Sequence, residues 1–153
     1  MTGDIFCSNS KAIVNPVNCV GRMGKGLALE FKKRFPKNYL YYANLCSMNR
    51  IVIGDVTVFT EMNYGKVFAT PVLIVNFPTK QHWSNPSQLN WISYGLESLK
   101  EVILEKNIPS IAIPALGCGE GGLDWKYVKQ EIIAVLGPLQ DVNISVYEPI
   151  KKE

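Results

Sequence analysis

Apolar positions along the chain fall into two kinds of pattern. Short runs rich in β-branched residues occur at residues 12–17, 55–60, 67–76, 110–114 and 143–148, bounded by turn-forming residues, and these runs predict strands. Between them the apolar period lengthens to that of a helix. Over residues 26–35, Leu27, Phe31 and Phe35 fall four apart, while Lys32, Lys33 and Arg34 take the wet side. Pro36 suits the first turn of a second helix, on which Leu40, Ala43 and Cys46 are predicted to face inward. A third helix is predicted from about Ser87, its cap, to Lys106, with a buried stripe of Leu89, Ile92, Leu96, Leu99 and Ile103. A last helix follows Asp124, a second cap, and buries Val128, Ile132 and Val135.

Strands alternating with helices predict an α/β fold, a three-layer α/β/α sandwich. The strand pair 56–59 and 67–75, joined through the Asn63-Tyr64-Gly65 turn, reads as a hairpin, which makes the central sheet mixed.

Composition narrows the class. A chain of 153 residues suits one domain over 1–153, and 47% apolar with 19% charged residues excludes a disordered one. A net charge of +3 is compatible with an anionic ligand without identifying a nucleic-acid binder. No apolar run approaches the roughly 20 residues that span a bilayer, so no membrane partner is expected. Residues 1–4 lack the basic and apolar regions of a signal peptide, and a cytoplasmic monomer is expected. Cys7, Cys19, Cys46 and Cys118 form no C-x-x-C pair, and the single histidine, His82, has no cysteine nearby. Metal-site spacing is absent, neither metal nor cofactor is expected, and reduced thiols are favoured over a disulfide pair.

Two glycine-rich turns carry the chemistry. The first, Asn15-Pro-Val-Asn18-Cys-Val-Gly21-Arg-Met-Gly24-Lys-Gly26, leaves a strand and enters a helix. Glycines let the backbone approach a ligand, and a helix N-terminus offers free N–H groups and positive potential, which suits a diphosphate. It is not a Walker loop, because Gly26 stands where Ser or Thr should follow Lys25. The second, Ala115-Leu-Gly117-Cys-Gly119-Glu-Gly121-Gly122-Leu-Asp124-Trp125, also joins a strand to a helix. Its match to G-x-G-x-x-G is weak by itself, since the second half of a dinucleotide-binding fold is missing. Either turn alone has a bland reading as a bend needing positive φ. If their strands are neighbours, both aim amides into one crevice at the carboxyl edge of the sheet.

Together with Gly3-Asp4-Ile5-Phe6, these turns resemble the macrodomain family over nearly the whole chain. Asn15-Pro-Val-Asn18, Met23-Gly24-Lys25-Gly26 and Asn76-Phe-Pro-Thr-Lys80-Gln-His-Trp83 resemble a narrower branch, that of the bacterial DarG-type DNA ADP-ribosyl glycohydrolases and the human terminal ADP-ribose glycohydrolase. The resemblance implies ADP-ribose as ligand, with Asp4 on the adenine amino group, the Ile5 backbone beside it, and Asn18 on the distal ribose. It implies a wrap of diphosphate and ribose by Met23, Gly24, Lys25 and Gly26 and by Gly117, Cys118, Gly119, Glu120, Gly121 and Gly122. It makes Lys80 the catalytic residue, ADP-ribosylated single-stranded DNA the substrate, and a cognate ADP-ribosyltransferase toxin the partner. Two departures stand out. Only Met1 and Thr2 precede Gly3-Asp4, so the first edge strand is expected to be short or missing. Gly121 stands where the human enzyme has an aspartate.

Lys80 admits two roles. As an ammonium it would protonate or electrostatically stabilise a departing base; as a desolvated amine it would attack the opened ribose as a Schiff-base nucleophile. Without the resemblance, a solvated lysine just past a strand is its ordinary reading, and Asp4 reads as a turn cap. Trp83 would pack against a substrate base or serve as a half-buried structural residue, and His82 reads as a surface hydrogen-bonding group. Lys25, Lys32, Lys33, Arg34 and Lys37 form a solvated helical face or a contact for DNA phosphates. Three functions remain open: a DNA ADP-ribosyl glycohydrolase, a non-catalytic ADP-ribose-binding module, and a hydrolase of protein ADP-ribosyl esters or ADP-ribose 1″-phosphate.

Overall fold

β-Branched runs fold as strands because branched side chains pack well on a pleated surface, and here each buried strand has a helix layer to meet. The computed structural model describes residues 1–66 and 68–149. A 3-10 turn at Ile5–Cys7 is followed by β1 (Ala12–Asn18), α1 (Gly26–Arg34), α2 (Pro36–Ser47), β2 (Thr57–Asn63) and β3 (Thr70–Lys80). Then come α3 (Leu89–Lys106), β4 (Ser110–Ile113), α4 (Trp125–Leu136) and β5 (Asn143–Val146). The five strands form one sheet in the order β2-β3-β1-β4-β5. β2 and β3 are the antiparallel hairpin, registered from Thr57 with Asn76 to Asn63 with Thr70, and the β3–β1, β1–β4 and β4–β5 pairs are parallel. Val67, where the second hairpin strand is expected to begin, lies outside the described residues.

Alternation along the strands divides the core. Ala12, Val14, Val75 and Phe77 meet Ile92, Leu96, Leu99 and Ile103 of α3 and Val128, Ile132 and Val135 of α4 on one face. Ile13, Val72 and Ile74 meet Phe31 of α1 and Phe35 just past its end, with Ile5 and Phe6, on the other. This is the expected α/β/α sandwich.

Two local expectations are corrected. Leu40 is 66% exposed, and the inward face of α2 is instead Asn38 and Tyr42, both fully buried. The reason is that α2 docks on polar groups. Asn38 exchanges side-chain hydrogen bonds with Asn76 of β3 at 2.9 and 3.1 Å, and its backbone N–H donates to Glu61 of β2 at 2.7 Å. Asn15, the register partner of Asn76, joins them by donating to Asn76 Oδ1 at 3.2 Å. Ser87 does not cap α3, which starts at Leu89 behind an uncapped Gln88. The Ser87 backbone N–H donates to the Gly121 carbonyl, 3.0 Å away. Asp124 does cap α4, accepting from the Lys126 N–H at 3.0 Å.

At the outer edge Met1 donates to the Val146 carbonyl and accepts from the Glu148 N–H, at 2.7 and 2.8 Å. That is one residue of parallel pairing, the short edge expected from the sequence.

Candidate functional site

β3, β1 and β4 are adjacent and parallel, so the segments leaving them all emerge at one edge of the sheet. These segments are residues 19–25, 81–88 and 114–124.

The first glycine turn is organised around Asn18. Its Oδ1 accepts from the Val20 and Arg22 N–H groups at 3.1 and 3.3 Å, and its Nδ2 donates to the Arg22 carbonyl at 2.6 Å. The buried Tyr42 hydroxyl completes this knot, 2.6 Å from the Asn18 carbonyl oxygen and 2.8 Å from Oδ1. Both polar atoms of the Asn18 side chain are therefore used inside the loop. Met23 also turns inward, 2% exposed among Val17, Tyr42 and Ile51, so only its backbone is available to a ligand. Gly24, Lys25 and Gly26 are exposed. Lys25 occupies the N-cap of α1 without a side-chain cap bond, which leaves the first amides of the helix to an outside acceptor.

The second turn is shaped by two glycines in the left-handed region, Gly117 at φ 74° and Gly122 at φ 77°. The Leu123 N–H closes it onto the Gly117 carbonyl at 2.9 Å. Gly121 is buried, and a Cβ there would stand 2.5 Å from the Gly117 carbonyl oxygen and 2.4 Å from Ser87 Oγ. This close approach leaves no room for a side chain at Gly121 without a shift of the turn. Gly119, Glu120 and Gly122 form the exposed tip. Burial, with Asp124 nearby, pushes the Cys118 thiol up to about 11, so it is no thiolate nucleophile at neutral pH.

Lys80 is the last residue of β3 rather than a loop residue, and it stands in register with Asn18. Pairing continues one step further, from the Cys19 N–H to the Gln81 carbonyl at 3.3 Å. Half-buried, Lys80 donates through Nζ to the Trp83 carbonyl at 3.1 Å. His82 Nδ1 accepts from the Ser84 N–H at 3.2 Å and meets Ser84 Oγ at 2.7 Å, a turn-holding role. Ser87 then ties this segment to the second glycine turn.

Asp4 caps the 3-10 turn, accepting from the Phe6 N–H at 2.9 Å, and its side chain is exposed. Ile5 is buried, so only its backbone can face a ligand. Met1 flanks Tyr147, just beyond the carboxyl end of β5, which starts residues 2–4 at the same sheet edge. The basic run is partly engaged. Lys33 and Arg34 approach Glu30 at 3.9 and 4.0 Å, and Lys32 lies over the Tyr39 ring.

Sequence reasoning missed Tyr42, Arg22 and the Ser87–Gly121 tie. Arg22 stacks on Trp83, with its guanidinium carbon 4.7 Å from the ring centroid. Only the polarity of these residues could have marked them. Two concavities of about 390 and 370 Å³ lie elsewhere, beside β5 and beside the β2–β3 hairpin, and neither is lined by the glycine turns. Backbone donors, not cavity size, single out the carboxyl edge.

Two glycine turns and a helix N-terminus at the carboxyl edge of a mixed sheet define a protein of the anion- and nucleotide-binding α/β class. The chain belongs to the macro domain family, whose Macro domain model matches residues 14–132. It is 44% identical over 148 residues to the "DNA ADP-ribosyl glycohydrolase" of Mycobacterium tuberculosis, covering 97% of this chain and 41% of that protein. Among solved structures it resembles the "Macrodomain of Mycobacterium tuberculosis DarG", with 43% identity and a TM-score of 0.90 over 98% of this chain and 96% of that one. It also resembles "Thermosipho africanus DarTG in complex with ADP-ribose", with 34% identity and a TM-score of 0.90 over 99% of this chain and 41% of that one. The chain therefore spans about 41% of the length of the first curated relatives it matches.

Proposed function

We propose that this macrodomain binds ADP-ribose and removes it from thymidine in single-stranded DNA, with Lys80 as the catalytic residue. The observation that supports the reading is the register of Lys80 with Asn18, which sets the two residues side by side at the carboxyl edge of the sheet, while Ser87 links the following loop to the second glycine turn. In this reading the amides of Met23, Gly24, Lys25 and Gly26 and those of Gly117, Cys118, Gly119, Glu120, Gly121 and Gly122 hold the diphosphate and distal ribose. Asp4 and the Ile5 backbone hold the adenine, and Asn18 shapes the first turn under the ribose.

Hydrolysis adds water at the anomeric carbon, breaks its bond to the base nitrogen and returns a proton to the base. The sugar becomes cationic on the way, and the ligand's own diphosphate stabilises that charge. As an ammonium, Lys80 supplies the proton or its field to the departing base. The half-exposed setting of Lys80 and its bond to a carbonyl oxygen favour this over the desolvated amine that a Schiff base needs.

The names of the relatives support the substrate class. A Thermosipho africanus protein 32% identical over 161 residues is named a "DNA ADP-ribosyl transferase-DNA ADP-ribosyl glycohydrolase fusion protein", which supports a cognate transferase as partner. Four free thiols among the described residues fit a reducing, cytoplasmic setting. No described helix is long and apolar enough to cross a membrane.

The test offers the protein three substrates: thymidine-ADP-ribosylated DNA, an ADP-ribosylated glutamyl peptide and ADP-ribose 1″-phosphate. Release of unmodified DNA, with the other two slower, supports the reading. Tight ADP-ribose binding with all three intact makes the chain a binding module instead.

A further inference from the structure

Arg22, Trp83 and His82 are stacked beside Lys80, and nothing in the handling of ADP-ribose uses them. The Arg22 guanidinium lies over the Trp83 ring at 4.7 Å, and the His82 ring centroid is 5.1 Å from that of Trp83 with 32° between the planes. The indole nevertheless remains 45% exposed. A tryptophan kept for packing would bury its large apolar face. Nor does the exposure come from an untied loop. The Trp83 carbonyl accepts from Lys80 Nζ at 3.1 Å, and the bonds of Ser84 and Asn85 back to His82 close the turn around it. Both ion pairs among the described residues involve Glu30, so among those residues Arg22 brings its charge to this stack without a carboxylate partner.

We propose that the Arg22–Trp83 stack seats a nucleobase of the ADP-ribosylated strand, either the modified base or its neighbour. The substrate's identity rests on the glycohydrolase reading above. Every base offers a π-face that extends such a stack, and the guanidinium can also reach a backbone phosphate. Bases inside a duplex have both faces covered by their neighbours, so the seat selects single strands. An ADP-ribosylated glutamate offers no planar ring at this position, so the stack also separates DNA from protein substrates.

The experiment measures equilibrium affinities in a Lys80→Arg background, which suppresses turnover and keeps a donor for the Trp83 carbonyl. The ligands are free ADP-ribose, ADP-ribosyl-thymidine and a thymidine-ADP-ribosylated single-stranded oligonucleotide, each with and without Trp83→Ala, Trp83→Phe and Arg22→Ala. The oligonucleotide is expected to bind more tightly than free ADP-ribose. Trp83→Ala removes about tenfold of that affinity. Trp83→Phe keeps most of it, and free ADP-ribose moves less than twofold. A loss already present with ADP-ribosyl-thymidine assigns the seat to the modified base, and a loss confined to the oligonucleotide assigns it to the neighbour. Unchanged oligonucleotide affinity in Trp83→Ala overturns the proposal, as does an equal loss for free ADP-ribose, the mark of a purely structural residue. Because no turnover is measured, failure of the parent protein to hydrolyse DNA would count against the glycohydrolase reading alone.

Discussion

Lys80 stands opposite Asn18 across the β1–β3 pair, so the proposed catalytic amine and the organiser of the first glycine turn are neighbours on adjacent parallel strands. Two structural neighbours with separate duties should fail separately when mutated.

Lys80→Ala is expected to lower turnover of thymidine-ADP-ribosylated DNA by about 10²–10⁴-fold while free ADP-ribose affinity changes little. Single-turnover kinetics with calorimetry on the same preparation reads both. Lys80→Arg recovers little, because a guanidinium keeps the charge but does not give up a proton. Borohydride added during turnover traps no adduct. A trapped lysine adduct would replace the acid mechanism with a Schiff base.

The second glycine turn offers a contrast between two glycines two residues apart. Gly121→Ala drives a Cβ to 2.5 Å from the Gly117 carbonyl oxygen, whereas a Cβ at Gly119 meets nothing within 4 Å. Gly121→Ala should therefore displace the turn and weaken ADP-ribose binding about tenfold or more. Gly119→Ala leaves the melting temperature nearly unchanged. Equal stability and affinity for the two variants would contradict the geometry.

Tyr42→Phe deletes the hydroxyl that meets the Asn18 carbonyl and Oδ1 and leaves the buried ring in place. Loss of a buried hydrogen bond with its acceptor left behind costs about 1–3 kcal/mol. Urea unfolding should register that cost, and ADP-ribose affinity should fall with it because the first turn loses its anchor.

Stability should fall at alkaline pH. Burial, with Cys46 nearby, raises the Cys19 thiol from the usual 9.0 to about 11, and burial with Asp124 nearby raises Cys118 by the same amount. Burial pushes the Tyr42 hydroxyl up as well. Between those two values the folded chain keeps thiol protons that the unfolded chain has lost, so the unfolded state binds fewer protons and stability drops as pH rises. The urea midpoint should decline from pH 9 to 11, less steeply in Cys19→Ala and Cys118→Ala. At pH 8 the exposed Cys7 should be alkylated well before either of them.

Much of the fold was legible because periodicity is local. The runs around Ile13, Ile74 and Ile111, rich in β-branched residues and bounded by turns, read as strands, and the four-residue repeat of Leu27, Phe31 and Phe35 read as a helix, which ends at Arg34. The same reasoning failed on α2. It sent Leu40 inward on hydrophobicity, when Asn76 and Glu61 from two other strands were waiting for Asn38. It failed on Ser87 too, because α3 starts at Leu89 and the cap position falls on Gln88 instead.

What the sequence determined by itself was the set of parts: alternating strands and helices, two glycine turns at strand ends, and a lysine closing the Asn-Phe-Pro-Thr-Lys segment. Each follows from conformational preferences that act within a few residues, such as positive φ at Gly117 and Gly122. The tertiary structure alone decided that Lys80 faces Asn18, that Arg22 lies on Trp83, and that Ser87 touches Gly121. Those pairings depend on strand order and register, which are set by burial summed over the whole sheet and cannot be read from any single stretch of chain.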